Sequence, residues 1–170
     1  MLKGNRGFIR CLFLLVLLIA LQACAHDHGS AHHPNTSYLY GSVIRITDGD
    51  TLTILTPAKK QVKIRLAEID TPERGQPFGT WAKNQLSEMV FQKDIAIRQV
   101  DIDGYQRIAG RVSVGDLDVD AESVPIGAAW VYREYAEDAS LHDIEEDARE
   151  EKRGLWSQSP QIPPWEWRRR

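Results

Sequence analysis

Between residues 38 and 157 apolar and polar positions follow two rhythms in turn. Ser42-Val-Ile-Arg-Ile-Thr47 and Thr51-Leu-Thr-Ile-Leu55 are β-branched stretches flanking Asp48-Gly49-Asp50, and the turn chemistry of that tripeptide predicts a hairpin. After a turn at residues 57–60, Gln61 to Ala67 alternates, with Val62, Ile64 and Leu66 on one face and Lys63 and Arg65 on the other, which predicts a third strand. The period then changes. Phe78, Trp81, Ala82, Leu86, Met89 and Val90 fall on one side of a helix, an apolar stripe suited to covering a sheet.

Asp94 to Val100 and Arg107 to Val114 predict two more strands around a turn at residues 101–106. A short helix is expected over Ala121 to Ala129, with Pro125 confining its regular part to residues around or after itself. Ser140 is the expected cap of a last helix with Leu141, Ile144 and Ala148 inward, a Glu145–Arg149 pair, and Gly154 as its stop. Its charge run reads mostly as a solvated face. Five strands with a helix after the third predict an α+β, mainly β, domain built on a small barrel. Residues 158–170, rich in Pro, Trp and Arg, read as an extended, frayed tail whose basic tip is free to touch nucleic acid or anionic lipid.

The first segment reads as an address. Lys3, Arg6 and Arg10 precede an apolar run from Cys11 to Leu21, shorter than the roughly 20 residues of a spanning helix, as in a signal peptide. The expected boundaries are residues 1–23 for the signal and 24–37 for a His-rich tether. Leu21-Gln-Ala-Cys24 resembles the lipobox of bacterial lipoproteins, which makes Cys24 the lipidation site and the chain an exported, membrane-tethered envelope protein. A plain signal cleaved near Ala23 or Ala25, giving a secreted or periplasmic protein, is the other reading. His26, His28, His32 and His33 fall in the tether, where a polar spacer and a metal-binding tract are both compatible with the composition.

Charge and cysteine content narrow the chemistry. With three basic residues of the signal gone, the 21 Lys+Arg become 18 against 24 Asp+Glu, a net charge of about −6, so any polyanion must be held by locally placed cations. Neither Cys11 nor Cys24 is left to form a disulfide in the mature domain. Only His142 remains in the folded part, which argues against a buried His base or a Ser-His-Asp triad.

Chemistry concentrates at one predicted end of the barrel. Asp48, Asp50 and the segment Arg65-Leu-Ala-Glu-Ile-Asp70-Thr71-Pro72-Glu73 meet if the first strands are neighbours. Asp50, Asp70 and the Thr71 carbonyl then offer hard oxygens to Ca²⁺ or Mg²⁺. Each acid taken alone is better read as an Asx-turn or a loop cap. Arg65 and Arg107 are suited to clamp a phosphate, although either alone is compatible with a weak surface ion pair. Together with Glu73 they supply a metal site, a base and phosphate clamps, the parts phosphodiester hydrolysis requires.

Ile46-Thr-Asp-Gly-Asp-Thr51, Ile64-Arg-Leu-Ala-Glu-Ile-Asp-Thr-Pro-Glu73, Pro77-Phe-Gly-Thr-Trp-Ala-Lys83, Asp103-Gly-Tyr-Gln-Arg107, Gly127-Ala-Ala-Trp-Val-Tyr132 and Gly154-Leu-Trp156 resemble the thermonuclease, or staphylococcal nuclease, family in order and spacing. The resemblance runs from about Tyr40 to Trp156. It implies a five-stranded OB-fold barrel with three helices over residues 38–157, and a monomeric Ca²⁺-dependent endonuclease for single-stranded and duplex DNA and for RNA, leaving 3′-phosphate and 5′-hydroxyl ends. Carried over by position, Asp50, Asp70 and the Thr71 carbonyl hold Ca²⁺ and Glu73 positions or deprotonates the attacking water. Arg65 and Arg107 neutralise the transition state, and Asp48 is an acid beside the metal ligands. Tyr105 lies near the terminal phosphate, while Trp130 and Tyr132 match nucleotide-pocket positions, with core packing the alternative for both.

Three features depart from the family pattern. Arg74-Gly-Gln-Pro77 is shorter than the loop of the founding enzyme, Gln106 replaces a Gly beside Arg107, and Pro125 interrupts the second helix. A competing expectation is a catalytically inactive nuclease-like barrel acting as an envelope binding module. The retention of Arg65, Glu73 and Arg107 together with the metal carboxylates discriminates against it.

Overall fold

Strands β1 (Tyr38–Ile46), β2 (Thr51–Leu55) and β3 (Gln61–Leu66) form an antiparallel meander in a computed structural model that describes residues 37–170. The expected signal, Cys24 and the tether up to residue 36 lie outside the described residues. A two-residue strand β4 (Ile69–Asp70) precedes helix α1 (Gly79–Val90). Strands β5 (Asp94–Ile102), β6 (Ile108–Val114) and β7 (Leu117–Asp118) follow, then α2 (Val119–Ser123), β8 (Trp130–Val131), α3 (Ser140–Glu150), a 3-10 turn (Gly154–Ser157) and α4 (Pro164–Trp167).

The sheet order is β3-β2-β1-β5-β6-β7, and a parallel pairing of β3 with β6 closes it into a five-stranded barrel. This is the OB-type, mainly β architecture expected from the sequence. The closure matters for the site. Parallel strands run toward the same mouth, and the register Ile64↔Ile108, Arg65↔Ala109 puts Arg65 and Arg107 at adjacent positions of one rim.

Alternation produces the core. Val43, Leu52, Ile54, Ile64, Leu66, Ile97 and Val112 are inward and essentially inaccessible, and Leu86 and Val90 of α1 with Leu141 of α3 cap them. Each such side chain stabilises the fold by about 1.5–3 kcal/mol relative to an exposed one.

Three details differ from the sequence expectation. α2 starts at Val119 because the Asp118 carboxylate accepts from the Ala121 N–H at 3.0 Å, and it stops early because Pro125 has no N–H to continue the ladder. α3 is capped not by Ser140 but by Asp138, whose Oδ1 accepts from the Ser140 N–H (2.9 Å) and hydroxyl (2.6 Å). Glu145 does not belong to the solvated face. It is buried, pairs with Arg149 at 3.1 Å and accepts from the Val131 N–H at 2.9 Å, tying α3 to β8.

The tail is the largest correction. Residues 158–170 do not fray: Pro163 leads into α4 with Pro at its first position, where a missing N–H costs nothing. Pro164 is buried, Trp165 packs edge-on against Trp130 with centroids 5.6 Å apart, and the Gln76 amide donates to the Ile162 carbonyl at 2.6 Å. Apolar contact and a tied backbone hold the segment on the barrel.

Candidate active site

The β1–β2 turn is pressed against the loop after β4. A Cβ on Gly49 would lie 2.7 Å from the Thr71 hydroxyl and 2.8 Å from Ala82 Cβ, so only glycine lets the turn seat there. Asp50 is consequently buried. Its Oδ2 accepts from the Thr71 N–H and hydroxyl, both at 2.9 Å, and its Oδ1 from the Thr51 hydroxyl at 3.0 Å.

Arg65 faces Asp50 from β3. Nη2 lies 3.4 Å from Asp50 Oδ2 and donates to Asp70 Oδ1 at 3.0 Å, while Nη1 donates to the Leu66 and Ile69 carbonyls. This guanidinium is buried. It is therefore not a surface ion pair but a cation fixed by four acceptors. Burial alone would raise the Asp50 pKa, yet Arg65 and the Thr71 donors outweigh it and hold the carboxyl below its ordinary range. Asp70 behaves oppositely: burial dominates over its arginine partners and raises its pKa. Asp48, which gives an Asx contact to the Asp50 N–H at 3.3 Å, is pushed up to about 6 by burial and by the Asp50 charge.

Glu73 stands at the end of this loop, and Gln76 fixes it. The Gln76 side-chain Oε1 accepts from the Glu73 N–H and the Gln76 backbone N–H donates to the Glu73 carbonyl, both at 2.9 Å. A Cβ on Gly79 would fall 2.1 Å from that carbonyl, so α1 abuts the loop only because residue 79 is glycine. The short Arg74 to Pro77 connection is thus a braced corner.

Arg107 completes the rim. Nε donates to Asp103 Oδ2 at 2.7 Å and Nη1 to the Thr51 hydroxyl at 3.0 Å. Gln106 takes φ of 60°, the left-handed conformation that glycine adopts without strain. Asp103 Oδ1 accepts from the Tyr105 and Arg107 N–H groups, each at 2.9 Å, and stabilises that turn.

Asp48, Asp50, Thr51, Arg65, Glu73 and Arg107 line an open cleft of about 660 Å³ whose other walls include Lys63, Val100, Ile102, Tyr105, Tyr132 and Tyr135. Tyr105 is 83% exposed at the lip, with Arg107 5.4 Å from its ring. Tyr132 leans on Tyr135, centroids 4.8 Å apart. Trp130 does not reach the cleft. It is buried edge-on to Trp156 (4.3 Å) and Trp165, with Arg149 5.0 Å above its ring; of the two readings kept for it, packing is the one the geometry adopts.

Sequence reasoning missed Thr51, Gln76, Tyr135 and, above all, Arg168. Arg168 Nη2 and Nη1 donate to Asp70 Oδ2 (2.7 Å) and Oδ1 (3.1 Å), and Nη1 also reaches Glu73 Oε1 at 2.5 Å. No group of three or more His, Cys, Asp or Glu poised to hold a metal occurs among the described residues. The site offers two buried carboxylates, with Glu73 beside them.

Comparison with known proteins resolves the fold's affiliation. The family described as staphylococcal nuclease homologue matches residues 63–158, more than half of the chain. The chain belongs to that family. A protein named uncharacterized endonuclease from Escherichia coli is 40% identical over 133 residues, covering 78% of this chain and 86% of its own. One of the same name from Haemophilus influenzae is 36% identical over 156 residues, covering 92% and 82%. A protein named micrococcal nuclease from Shigella flexneri is 36% identical over 140 residues, covering 76% and 80%. As a staphylococcal nuclease homologue the chain is a hydrolase of the nuclease type, an endonuclease.

Proposed function

We propose that the chain is an exported, Ca²⁺-dependent endonuclease of DNA and RNA, held at the cell envelope through an acylated Cys24. The observation that carries the nuclease chemistry is the convergence of Arg65 and Arg107 with Asp50, Asp70 and Glu73 at one barrel mouth. The export reading rests on the basic and apolar pattern of residues 1–23 and on the Leu21 to Cys24 motif.

Asp50, Asp70 and the Thr71 carbonyl suit a hard cation. The donor set is all oxygen, and Asp70 and Glu73 already share a guanidinium, so the position attracts positive charge. Bound there, Ca²⁺ would supply charge neutralisation for a phosphate oxygen. The chain's own groups do the rest. Glu73 accepts a proton from the attacking water as its oxygen bonds to phosphorus, and the bond from phosphorus to the 5′ oxygen breaks. The 5′ oxygen leaves as a hydroxyl after taking up a proton, and the 3′ side keeps the phosphate. Arg65 and Arg107 meet the charge that builds on the equatorial oxygens. Tyr105 and the Tyr132–Tyr135 pair give flanking nucleotides aromatic surface on which to lie.

The test is cleavage of single-stranded DNA, duplex DNA and RNA by the purified protein at low salt with Ca²⁺, Mg²⁺ or EDTA. Cleavage with Ca²⁺ that EDTA abolishes, leaving 3′-phosphate ends, is the expected result. No cleavage by folded protein under any cation would favour an inactive binding barrel.

A further inference from the structure

The carboxylates of the cleft carry a cation of the chain's own. Arg168 comes from a segment 98 residues beyond Asp70, yet its two terminal nitrogens grip both Asp70 oxygens and one also bonds Glu73. We propose that Arg168 and a divalent cation are alternative occupants of the Asp70 carboxylate, that Arg168 when docked also covers Glu73, and that the segment from Ile162 to Arg168 is the strap that delivers the arginine. The metal half of this rests on the nuclease reading above.

Crowding makes the two occupants exclusive. Asp70 Oδ1 accepts from both Arg65 (3.0 Å) and Arg168 (3.1 Å), and Oδ2 accepts from Arg168 at 2.7 Å. A divalent cation added to this carboxylate would be a third positive centre on one buried anion, and like charges at that range repel strongly. Arg65 cannot give way, because it is buried and also bonds two backbone carbonyls. Arg168 can. Its side chain is 44% exposed, and no core residue has to move when it swings out. Glu73 must also shed the guanidinium before its oxygen can take a proton from water.

The contact is built rather than incidental. Three attachments that use neither carboxylate set the strap in place: the Gln76 bond to the Ile162 carbonyl, the burial of Pro164, and Trp165 against Trp130. Gln76 also holds Glu73 through its N–H, so one side chain fixes both the base and the strap that covers it. The backbone of Trp167 and Arg168 is wound onto Pro163 and Pro164 by N–H bonds of 3.0 Å each, which aims residue 168 back at the cleft. This is an intramolecular block on metal entry, relieved when cation concentration is high enough to compete.

The test is Ca²⁺ titration by calorimetry of the full-length protein in detergent, comparing wild type with Arg168→Ala, Arg168→Lys and Trp165→Ala. A strap docked about 90% of the time weakens apparent affinity about tenfold, so Arg168→Ala should bind Ca²⁺ about tenfold more tightly. Trp165→Ala should shift in the same direction, and Arg168→Lys by less, since an ammonium lacks the fork that spans two carboxylates. Hydrogen exchange supplies a second readout: saturating Ca²⁺ should strip protection from the Trp167 and Arg168 amides in wild type. Measurable Ca²⁺ binding of equal or lower affinity in Arg168→Ala, or unchanged amide protection, would overturn the strap and leave the metal site standing. Absence of Ca²⁺ binding in wild type and Arg168→Ala alike would overturn both the strap and the metal reading.

Discussion

Arg107 donates from Nη1 to the Thr51 hydroxyl at 3.0 Å, although 56 residues separate them. That hydroxyl in turn donates to Asp50 Oδ1 at 3.0 Å, so one side chain joins the proposed phosphate clamp to the carboxylate proposed to hold metal. Thr51→Val keeps the shape and removes both bonds. Its turnover should fall by about 10- to 100-fold through misplacement of Arg107, with KM little changed, while Thr51→Ser should recover most of the rate. Steady-state kinetics on a short single-stranded substrate decide it; wild-type turnover in Thr51→Val would remove Thr51 from the positioning scheme.

The two clamping arginines should separate in stability although both lower the rate. Each substitution to Ala should reduce turnover by about 10²-fold or more, because each removes charge stabilisation of the transition state. Arg107 and its charged partner Asp103 are both only partly buried, and the uncharged Thr51 hydroxyl keeps its bond to Asp50, so Arg107→Ala should unfold in urea close to wild type. Arg65→Ala strands Asp50 and Asp70 in the interior. Breaking such a buried pair costs about 3–5 kcal/mol, and Arg168, still on Asp70, should keep the loss toward the lower figure. Equal urea midpoints for the two variants would show that Arg65 is not needed to balance the buried acids.

How far these roles could be read beforehand depends on whether the signal was local. The strands were legible because alternation at Val62, Ile64 and Leu66 is a backbone period. The convergence of Asp50, Asp70, Arg65 and Arg107 followed from which strand ends share a mouth, and the parallel β3–β6 closure produces it. Arg168 had no such pattern. Four residues of helix after two prolines show no period, and the contact that matters depends on Trp165 finding Trp130, a tertiary event. Trp130 stayed open between packing and stacking for the same reason, since a tryptophan between two others cannot be told from one facing a cleft by its position in the chain. Glu145 looked solvated because a charged run at helical spacing usually is; the Val131 N–H that it satisfies lies on another element.

Metal removal should divide the carboxylates into two classes. Glu73→Gln should keep Ca²⁺ affinity near wild type or raise it, since one anchor of Arg168 is lost, while turnover falls about 10²-fold or more without its base. Asp50→Ala should lose both binding and rate. In wild type, Ca²⁺ at about 100 times its dissociation constant should stabilise the fold by about 2.7 kcal/mol, and EDTA should reverse the gain. A melting midpoint that rises with Ca²⁺ as much in Asp50→Ala as in wild type would exclude Asp50 as a ligand.

Asp120, remote from the cleft chemistry, should make stability fall as pH rises toward neutrality. Its oxygens accept from the Glu68 N–H (3.2 Å) and the Val112 N–H (3.0 Å), but burial dominates, with the Asp118 and Glu68 charges adding, and pushes the carboxyl up to about 7 from an ordinary 3.8. Between those values the folded chain retains a proton that the unfolded chain has released. The unfolded state then binds fewer protons, so the slope of unfolding free energy against pH is negative. The contribution is fully present below about pH 4, declines through the interval and levels off above about pH 7. Its span is up to about 4 kcal/mol, with the lowering effect of the two N–H donors already contained in the shift. Asp120→Asn cannot titrate and gives up one acceptor, so it should be less stable than wild type at the acid end and gain on it steadily toward neutral pH. Urea unfolding of both proteins across this interval measures the difference directly. A constant offset between the two curves would mean that Asp120 keeps the same protonation in the folded and unfolded chain, contrary to what its burial demands.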